Sequence, residues 1–410
     1  MKLDTEWVRG RFPAFAQPSL EGWAFFENAG GSYPCSFVTD RLARFYRERK
    51  VQPYGPYPAA EAAGAEMDEA RRRLAAMLGV ATHELSFGPS TTQNTYVLAQ
   101  AVRRWIGDRA LVVTDQDHEA NSGPWRRLAE EGVEVREWRL DPETGSLQPE
   151  DLARLLDDGR VALVCFPHCS NVVAEINDVA AIAAMAHEAG AQVCVDGVSY
   201  APHGFPNVGE MRPDIYLFSA YKTFGPHQGV MVIREELGRL LPNQAHWFNA
   251  DTLYKRFTPA GPDHAQVAAS AGMADYYDAL AGHHGLGGDA AARTSGVHDL
   301  FRAHETELLQ PVLDFLSDRN SVRLIGPREA AAKAPTVAVE LPGPGEDAAA
   351  KHPLPVCASF AAMKAWIWNS APWELLDDPK SSHSKRVACH MPAYGVAGSA
   401  AVSALRCAGL

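Results

Sequence analysis

The sequence has no uninterrupted apolar run long enough to cross a bilayer. Its first residues, "MKLDTEWVRGRFPAF", hold acidic side chains and no apolar segment of signal-peptide length. A cytoplasmic protein without a membrane partner is the expectation. An excess of positive charge is also missing. Lys and Arg total 38 against 50 Asp and Glu, a formal charge of −12, which argues against nucleic acid or an anionic surface as the main partner. Cysteine is scarce: seven, an odd number, at Cys35, Cys165, Cys169, Cys194, Cys357, Cys389 and Cys407. Their spacing shows neither a zinc-type pairing nor a disulfide framework, so a reduced compartment and no metal are expected. No internal repeat is present.

What the chain does have is alternation. With 46% hydrophobic residues over 410 positions, it can bury one large core and a smaller one. "AEMDEARRRLAAMLG" reads as an amphipathic helix stopped by Gly79. "RALVVTD", "VALVCFP", "AQVCVDG", "DIYLFSA" and "GVMVI" read as buried strands, several separated by helical stretches such as "AAIAAMAHEAG". That order predicts a mostly parallel, doubly wound sheet. After about residue 265 the texture changes: "HAQVAASAGMADYYDALAGHHG" and "TSGVHDLFRAHETELLQPVLDFLSD" read as long helices, and "VRLIGP" and "TVAVELPG" as strands.

Ligands of such sheets sit beyond the carboxyl ends of the strands, and the polar residues there form a set. "LSFGPSTTQN" brings Ser90, Thr91 and Thr92 to a helix start, either as ordinary caps or as a phosphate site. "QDHEANSGPW" places His118 at a strand end, and "HCSNVVAEIND" places Asn171, whose bland role is a turn or cap. Asp196 ends a buried strand, where an acid is costly without a cation or donor. "LFSAYKTFGPHQG" ends another strand on Lys222, flanked by Ser219 and Tyr221. Together these supply a phosphate cradle, an imidazole, an amide, a carboxylate and an amine. That set suits pyridoxal 5'-phosphate, with Lys222 forming the Schiff base and Asp196 pairing with the pyridine nitrogen.

The motifs, in this order, resemble the class V aminotransferase group of fold-type I pyridoxal-phosphate enzymes, and within it the cysteine desulfurase-like proteins. "FFENAGGS" resembles the substrate loop and implies substrate contacts at Ala29 and Gly30. "GPSTTQN" resembles the phosphate loop. "DHEAN" implies that His118 stacks on the cofactor ring, and "SNVVAEIND" that Asn171 contacts its phenolic oxygen. "VDGVSYAPH" carries Asp196, with Ser199 where the family usually has glutamine or histidine. "KRVACHMPAYG" implies that Arg386 holds the substrate carboxylate. The resemblance implies a large cofactor domain at 21–265, a smaller unit made of 1–20 and 266–410, and a homodimer. Tyr54 and Tyr57 of "VQPYGPYPAAEA" would sit at the shared pocket mouth.

Two departures bear on the reaction. The family's mobile sulfur-accepting cysteine lies shortly before the carboxylate arginine. Here that region reads "WIWNSAPWELLDDPKSSHSKR" and has no cysteine, while Cys357 lies upstream and Cys389 follows Arg386. In "RFTPAGPDHAQ", Pro262 replaces the threonine expected to reach the partner's phosphate, leaving His264 or Thr258 as substitutes. The expected function is therefore a lyase that breaks the C–S bond of a cysteine conjugate, with Trp366, Trp368 and Trp373 lining a substituent pocket. The alternatives are an aminotransferase, epimerase or oxidative deaminase or decarboxylase, a true cysteine desulfurase, and a non-catalytic cofactor-binding protein.

Overall fold

Val161–Pro167 is buried at every position, and so are Ala110–Thr114, Ile215–Ser219 and Gly229–Ile233. Segments with no polar face can be strands only in the middle of a sheet covered on both sides. The computed structural model, which describes residues 1–25, 28–320, 322–340 and 386–388, builds that sheet.

Eleven strands appear among the described residues: β1 (Trp23–Phe25), β2 (Leu85–Gly88), β3 (Ala110–Thr114), β4 (Glu134–Trp138), β5 (Val161–Pro167), β6 (Gln192–Asp196), β7 (Ile215–Ser219), β8 (Gly229–Ile233), β9 (Arg323–Ile325), β10 (Ala338–Glu340) and β11 (Arg386–Ala388). The helices are α1 (Thr5–Arg9), α2 (Ser36–Glu48), α3 (Pro58–Met77), α4 (Thr91–Trp105), α5 (Glu119–Arg126), α6 (Pro149–Leu156), α7 (Val179–Glu188), α8 (Val208–Met211), α9 (Glu235–Leu240), α10 (His264–Ala269), α11 (Ala271–His283) and α12 (Ala290–Ser317).

Seven strands form one sheet in the order β2-β8-β7-β6-β5-β3-β4. All run the same way except β8, which is antiparallel to both its neighbours. The sheet is thus the expected mostly parallel one. The pleat splits its side chains between two cores. Along β7, Tyr216 and Phe218 face one layer, while Ile215 and Leu217 face the layer that holds Leu98, Val102 and Trp125.

The segment expected as one helix from His264 is two, α10 and α11. Ser270 separates them: its hydroxyl donates to the Gln266 carbonyl at 2.9 Å, and its N–H is shared between the carbonyls of Gln266 and Val267. Such back-bonding by serine bends a helix. Beyond them, α12 packs Leu309, Leu313 and Leu316 on the antiparallel pair β9–β10 through Leu324 and Val339. Among the described residues, no helix is long and apolar enough to cross a membrane.

Candidate active site

Because β2, β3, β5, β6 and β7 run the same way, their carboxyl ends share one edge of the sheet. A cavity of about 370 Å³ opens at that edge. Each of these strands contributes residues to its wall: Thr91 and Thr92 after β2, Asp117 and His118 after β3, Cys169, Ser170 and Asn171 after β5, Asp196, Val198 and Ser199 at β6, and Ser219, Tyr221 and Lys222 at β7. Ala29 and Gly30 close it from the amino-terminal segment. Residues separated by up to about three hundred positions in sequence therefore meet in one hollow.

The local geometry explains each placement. Ser90 caps α4, its side chain accepting from the Gln93 N–H at 3.1 Å, and it stands just outside the cavity lining. Thr91 turns inward, its hydroxyl 2.8 Å from that of Ser219. Lys222 ends a single 3-10 turn, Ala220–Lys222, directly after β7. Two residues on, Phe224 holds a φ of 66°, a left-handed conformation that costs a bulky side chain energy. Its N–H is held by the Ser32 hydroxyl at 3.0 Å, and the Tyr221 carbonyl accepts from the Ser32 N–H at 3.0 Å. The lysine turn and the loop carrying Ala29 and Gly30 are thereby tied together. The Tyr221 ring stacks on His227, with centroids 4.8 Å apart.

Electrostatics single out the acids. Asp196 is 5% exposed, and its carboxyl is pushed up to about 6, chiefly by burial. The Val198 N–H (2.7 Å from Oδ1) and the charge of Lys222 pull the other way. Asp117 is raised well above the ordinary range by burial and then by the charge of Asp196. Its Oδ1 accepts from the His118 N–H at 2.8 Å, and its Oδ2 accepts from the Asn121 amide. His118 caps α5, with Nδ1 accepting from the Ala120 N–H at 3.0 Å. Its pKa is lowered by burial and then by Lys222.

Asp117, Cys169, Ser170, His203 and the stretch 334–336 also line the cavity, and sequence reasoning missed them. Asp117 opens the motif "DHEAN" and was legible as a second strand-end acid. Ala334, Pro335 and Thr336 carry no sequence signal, since only folding brings them to the site. Cys169 has its S–H directed at the carbonyls of Ala174 (3.4 Å) and Ser170 (3.5 Å), and burial pushes its thiol up to about 12. Arg386 opens β11, opposite Trp23 of β1 in a parallel pair, so β11 lies beside the strand just ahead of Ala29 and Gly30. Tyr54 and Tyr57 are exposed as expected. The Thr258 hydroxyl donates to the Phe87 carbonyl at 3.3 Å. Cys357, Cys389, Cys407, Trp366, Trp368 and Trp373 lie outside the described residues.

The donor set fits a phosphorylated aldehyde of a protonated pyridine. A fifteen-residue helix presents its amino terminus beside three hydroxyls, which suits a phosphate dianion. A buried carboxyl with a raised pKa suits a ring N–H, and a strand-end amine suits an aldehyde. The glycines leave the room: a Cβ on Gly229 would stand 2.5–2.6 Å from the backbone of Ser90 and Thr91, so β8 packs against the first turn of α4. Among the described residues, no group of three His, Cys, Asp or Glu side chains is arranged to hold a metal.

Comparison with known proteins gives the family and the fold. The family model Aminotransferase class-V matches residues 24–351. An aminotransferase-like protein, FGM3, of Gibberella zeae is 30% identical over 346 residues, covering 82% of this chain and 81% of that protein. A cysteine desulfurase of Pectobacterium atrosepticum is 29% identical over 352 residues, covering 80% of this chain and 81% of its own length. In fold, the chain is similar to the apo cysteine desulfurase of Thermococcus onnurineus NA1, with a TM-score of 0.69, 22% identity and 85% of each chain covered. From the motifs, the sheet and these matches together, the chain belongs to the class V aminotransferase family and is a pyridoxal 5'-phosphate-dependent enzyme of fold type I.

Proposed function

We propose that the enzyme is a C–S lyase acting on S-substituted cysteines. The observation that carries the reading concerns sulfur. Cys169 is the one cysteine lining the cavity among the described residues. Its thiol is 2% exposed, is donated to carbonyls, and has a pKa pushed up to about 12. A persulfide carrier needs an accessible thiolate. Cys35, Cys165 and Cys194 are buried in the core, and no cysteine occurs in the stretch 366–386.

In this reading Lys222 would hold the cofactor covalently until the substrate amine displaces it, and the freed lysine amine would then take the proton from the substrate Cα. Asp196 accepts from the ring nitrogen, Asn171 and Ser199 reach the phenolic oxygen, and His118 stacks on the ring. Ser90, Thr91, Thr92, Ser219 and Tyr221, with the α4 amino terminus, hold the phosphate. Ala29, Gly30 and Arg386 bind the substrate carboxylate end, the arginine by a two-pronged pair. When bound, pyridoxal phosphate supplies a sink for the electron pair left at Cα. The C–S bond then breaks with its electrons on sulfur, and water completes the products: a thiol, pyruvate and ammonia. A cytoplasmic homodimer with two sites near the interface is part of the proposal.

The test is a spectral and product assay. Borohydride should fix the cofactor to Lys222, and Lys222→Ala should lose both the visible band and turnover. With S-methylcysteine, thiol, pyruvate and ammonia should appear in equal amounts without added keto acid or dioxygen. Turnover that requires a keto acid would favour the aminotransferase reading, which the FGM3 relative's name supports. A persulfide trapped on an enzyme cysteine would favour the desulfurase reading, which the Pectobacterium relative's name supports.

A further inference from the structure

Helix α12 lies outside the cavity, yet it carries a polar stripe at helical spacing. His298, Arg302 and Glu305 stand at positions i, i+4 and i+7, where a packed helix normally shows apolar residues. Glu305 is only 2% exposed, and a buried carboxylate persists only where partners satisfy it.

Its partners lead to the site. Glu305 Oε1 is 2.7 Å from Nδ1 of His203, a cavity-lining residue at the end of the turn that begins with Asp196. Glu305 Oε2 accepts from Arg302 at 3.0 Å. The other end of that guanidinium donates to the carbonyls of Lys333 at 2.8 Å and Ala330 at 3.3 Å, directly ahead of the cavity-lining stretch 334–336. Nε2 of His298 is 2.9 Å from the Tyr200 hydroxyl, within the same Asp196 turn. The Tyr200 ring stacks on His168 with centroids 3.6 Å apart, and the His168 N–H donates to the Asp196 carbonyl at 2.8 Å. His168 in turn precedes Cys169, Ser170 and Asn171. Gly204 packs against His298 so closely that a Cβ there would stand 2.7 Å from its Cα. Three cavity walls, 167–172, 196–203 and 334–336, are therefore tied to one stripe of one helix.

We propose that His298, Arg302 and Glu305 are positioning residues of the cofactor site, acting through His203, Tyr200 and the 330–333 carbonyls on the walls that carry Asp196 and Asn171. None of the three lines the cavity. Their effect is on where the ring-nitrogen acceptor and the phenolic-oxygen donor stand. The inference rests on the assignment of this cavity to pyridoxal phosphate with Lys222 as its anchor.

The experiment titrates purified protein with pyridoxal phosphate and follows the visible band, with thermal melting alongside. Glu305→Gln should weaken cofactor affinity by about tenfold, the lower end of what loss of an outer partner costs at metal sites. It should also displace the band maximum, and Glu305→Asp should restore both in large part. His298→Phe, which keeps a ring but loses the bond to Tyr200, should shift the band in the same way. It decides the matter if Glu305→Gln does not fold. A Glu305→Gln or His298→Phe protein with the parent's band and a dissociation constant within about twofold of it overturns the proposal, whatever its melting temperature. A parent protein with no Lys222-dependent band overturns instead the cofactor assignment on which the inference stands.

Discussion

Asp196 shows how a functional group is held at a cost to the fold. Its carboxyl titrates at about 6 in the folded protein against an ordinary value of 3.8, with burial as the main cause. The fold therefore keeps a proton that the unfolded chain releases. That contribution is complete below about pH 4 and is lost as pH rises through about 6. Cofactor-free Asp196→Asn should accordingly be more stable than the parent at pH 8, by on the order of 3 kcal/mol, and equal to it near pH 4. Thermal melts of both cofactor-free proteins across that range check it, and a gap that widens toward acid would contradict it. With the cofactor bound the order should reverse, since the variant offers the ring nitrogen no charge. Of the residues of "PSTT", one caps the helix and another turns inward. Ser90 is the cap, and Thr91 faces the cavity.

At the scale of elements, the meeting of β8 with the start of α4 sets the cavity wall that carries Thr91 and Thr92. Gly88 and Gly229 pair across β2 and β8, and a Cβ on Gly229 would fall 2.5 Å from the Ser90 carbonyl carbon and 2.6 Å from the Thr91 nitrogen. Neither neighbour is a flexible side chain, so backbone must move. Gly229→Ala should lower stability by about 1–3 kcal/mol, as overpacking does. In the proposed site the displaced turn presents the phosphate donors, so pyridoxal phosphate affinity should fall more than affinity for unphosphorylated pyridoxal. Equal losses for the two would place the damage elsewhere. The reversed direction of β8 was not legible from "GVMVI", since an apolar run carries no sign of its direction. The short connection from β7, too brief for a crossover helix, permits only the antiparallel return.

For the molecule as a whole, exposed Trp247 and Phe248 (85% and 64% accessible) join Tyr54 and Tyr57 as large apolar groups left in solvent. Trp247 and Phe248 touch edge to face, and a contiguous apolar patch suits an association surface, in keeping with the proposed homodimer. Light scattering at micromolar concentration should give twice the chain mass of 44.5 kDa. Trp247→Glu with Phe248→Glu should move the population toward monomer. A monomeric, fully active parent would remove the dimer from the proposal. The reaction class is tested at this scale too. Replacing Cys357 and Cys389 together by alanine should leave turnover of S-substituted cysteine within about twofold, since sulfur leaves with the substrate's own substituent and no thiolate carrier is needed. A dead double variant would shift the reading to a desulfurase.

The sequence alone determined the sheet class and the residues at its strand ends. Buried strands announce themselves by having no polar face, and a buried carboxylate at the end of such a strand, as at Asp196, is costly unless it has a partner. It could not determine what surrounds those residues. The wall at 334–336, the acid pair Asp117 and Asp196, and the tie from Glu305 to His203 depend on contacts between segments separated by tens to more than a hundred residues. Local pattern records only each segment's own burial and period. The burial that raises the pKa of Asp196, and the nearness of Asp196 that helps raise that of Asp117, exist only once packing has fixed them.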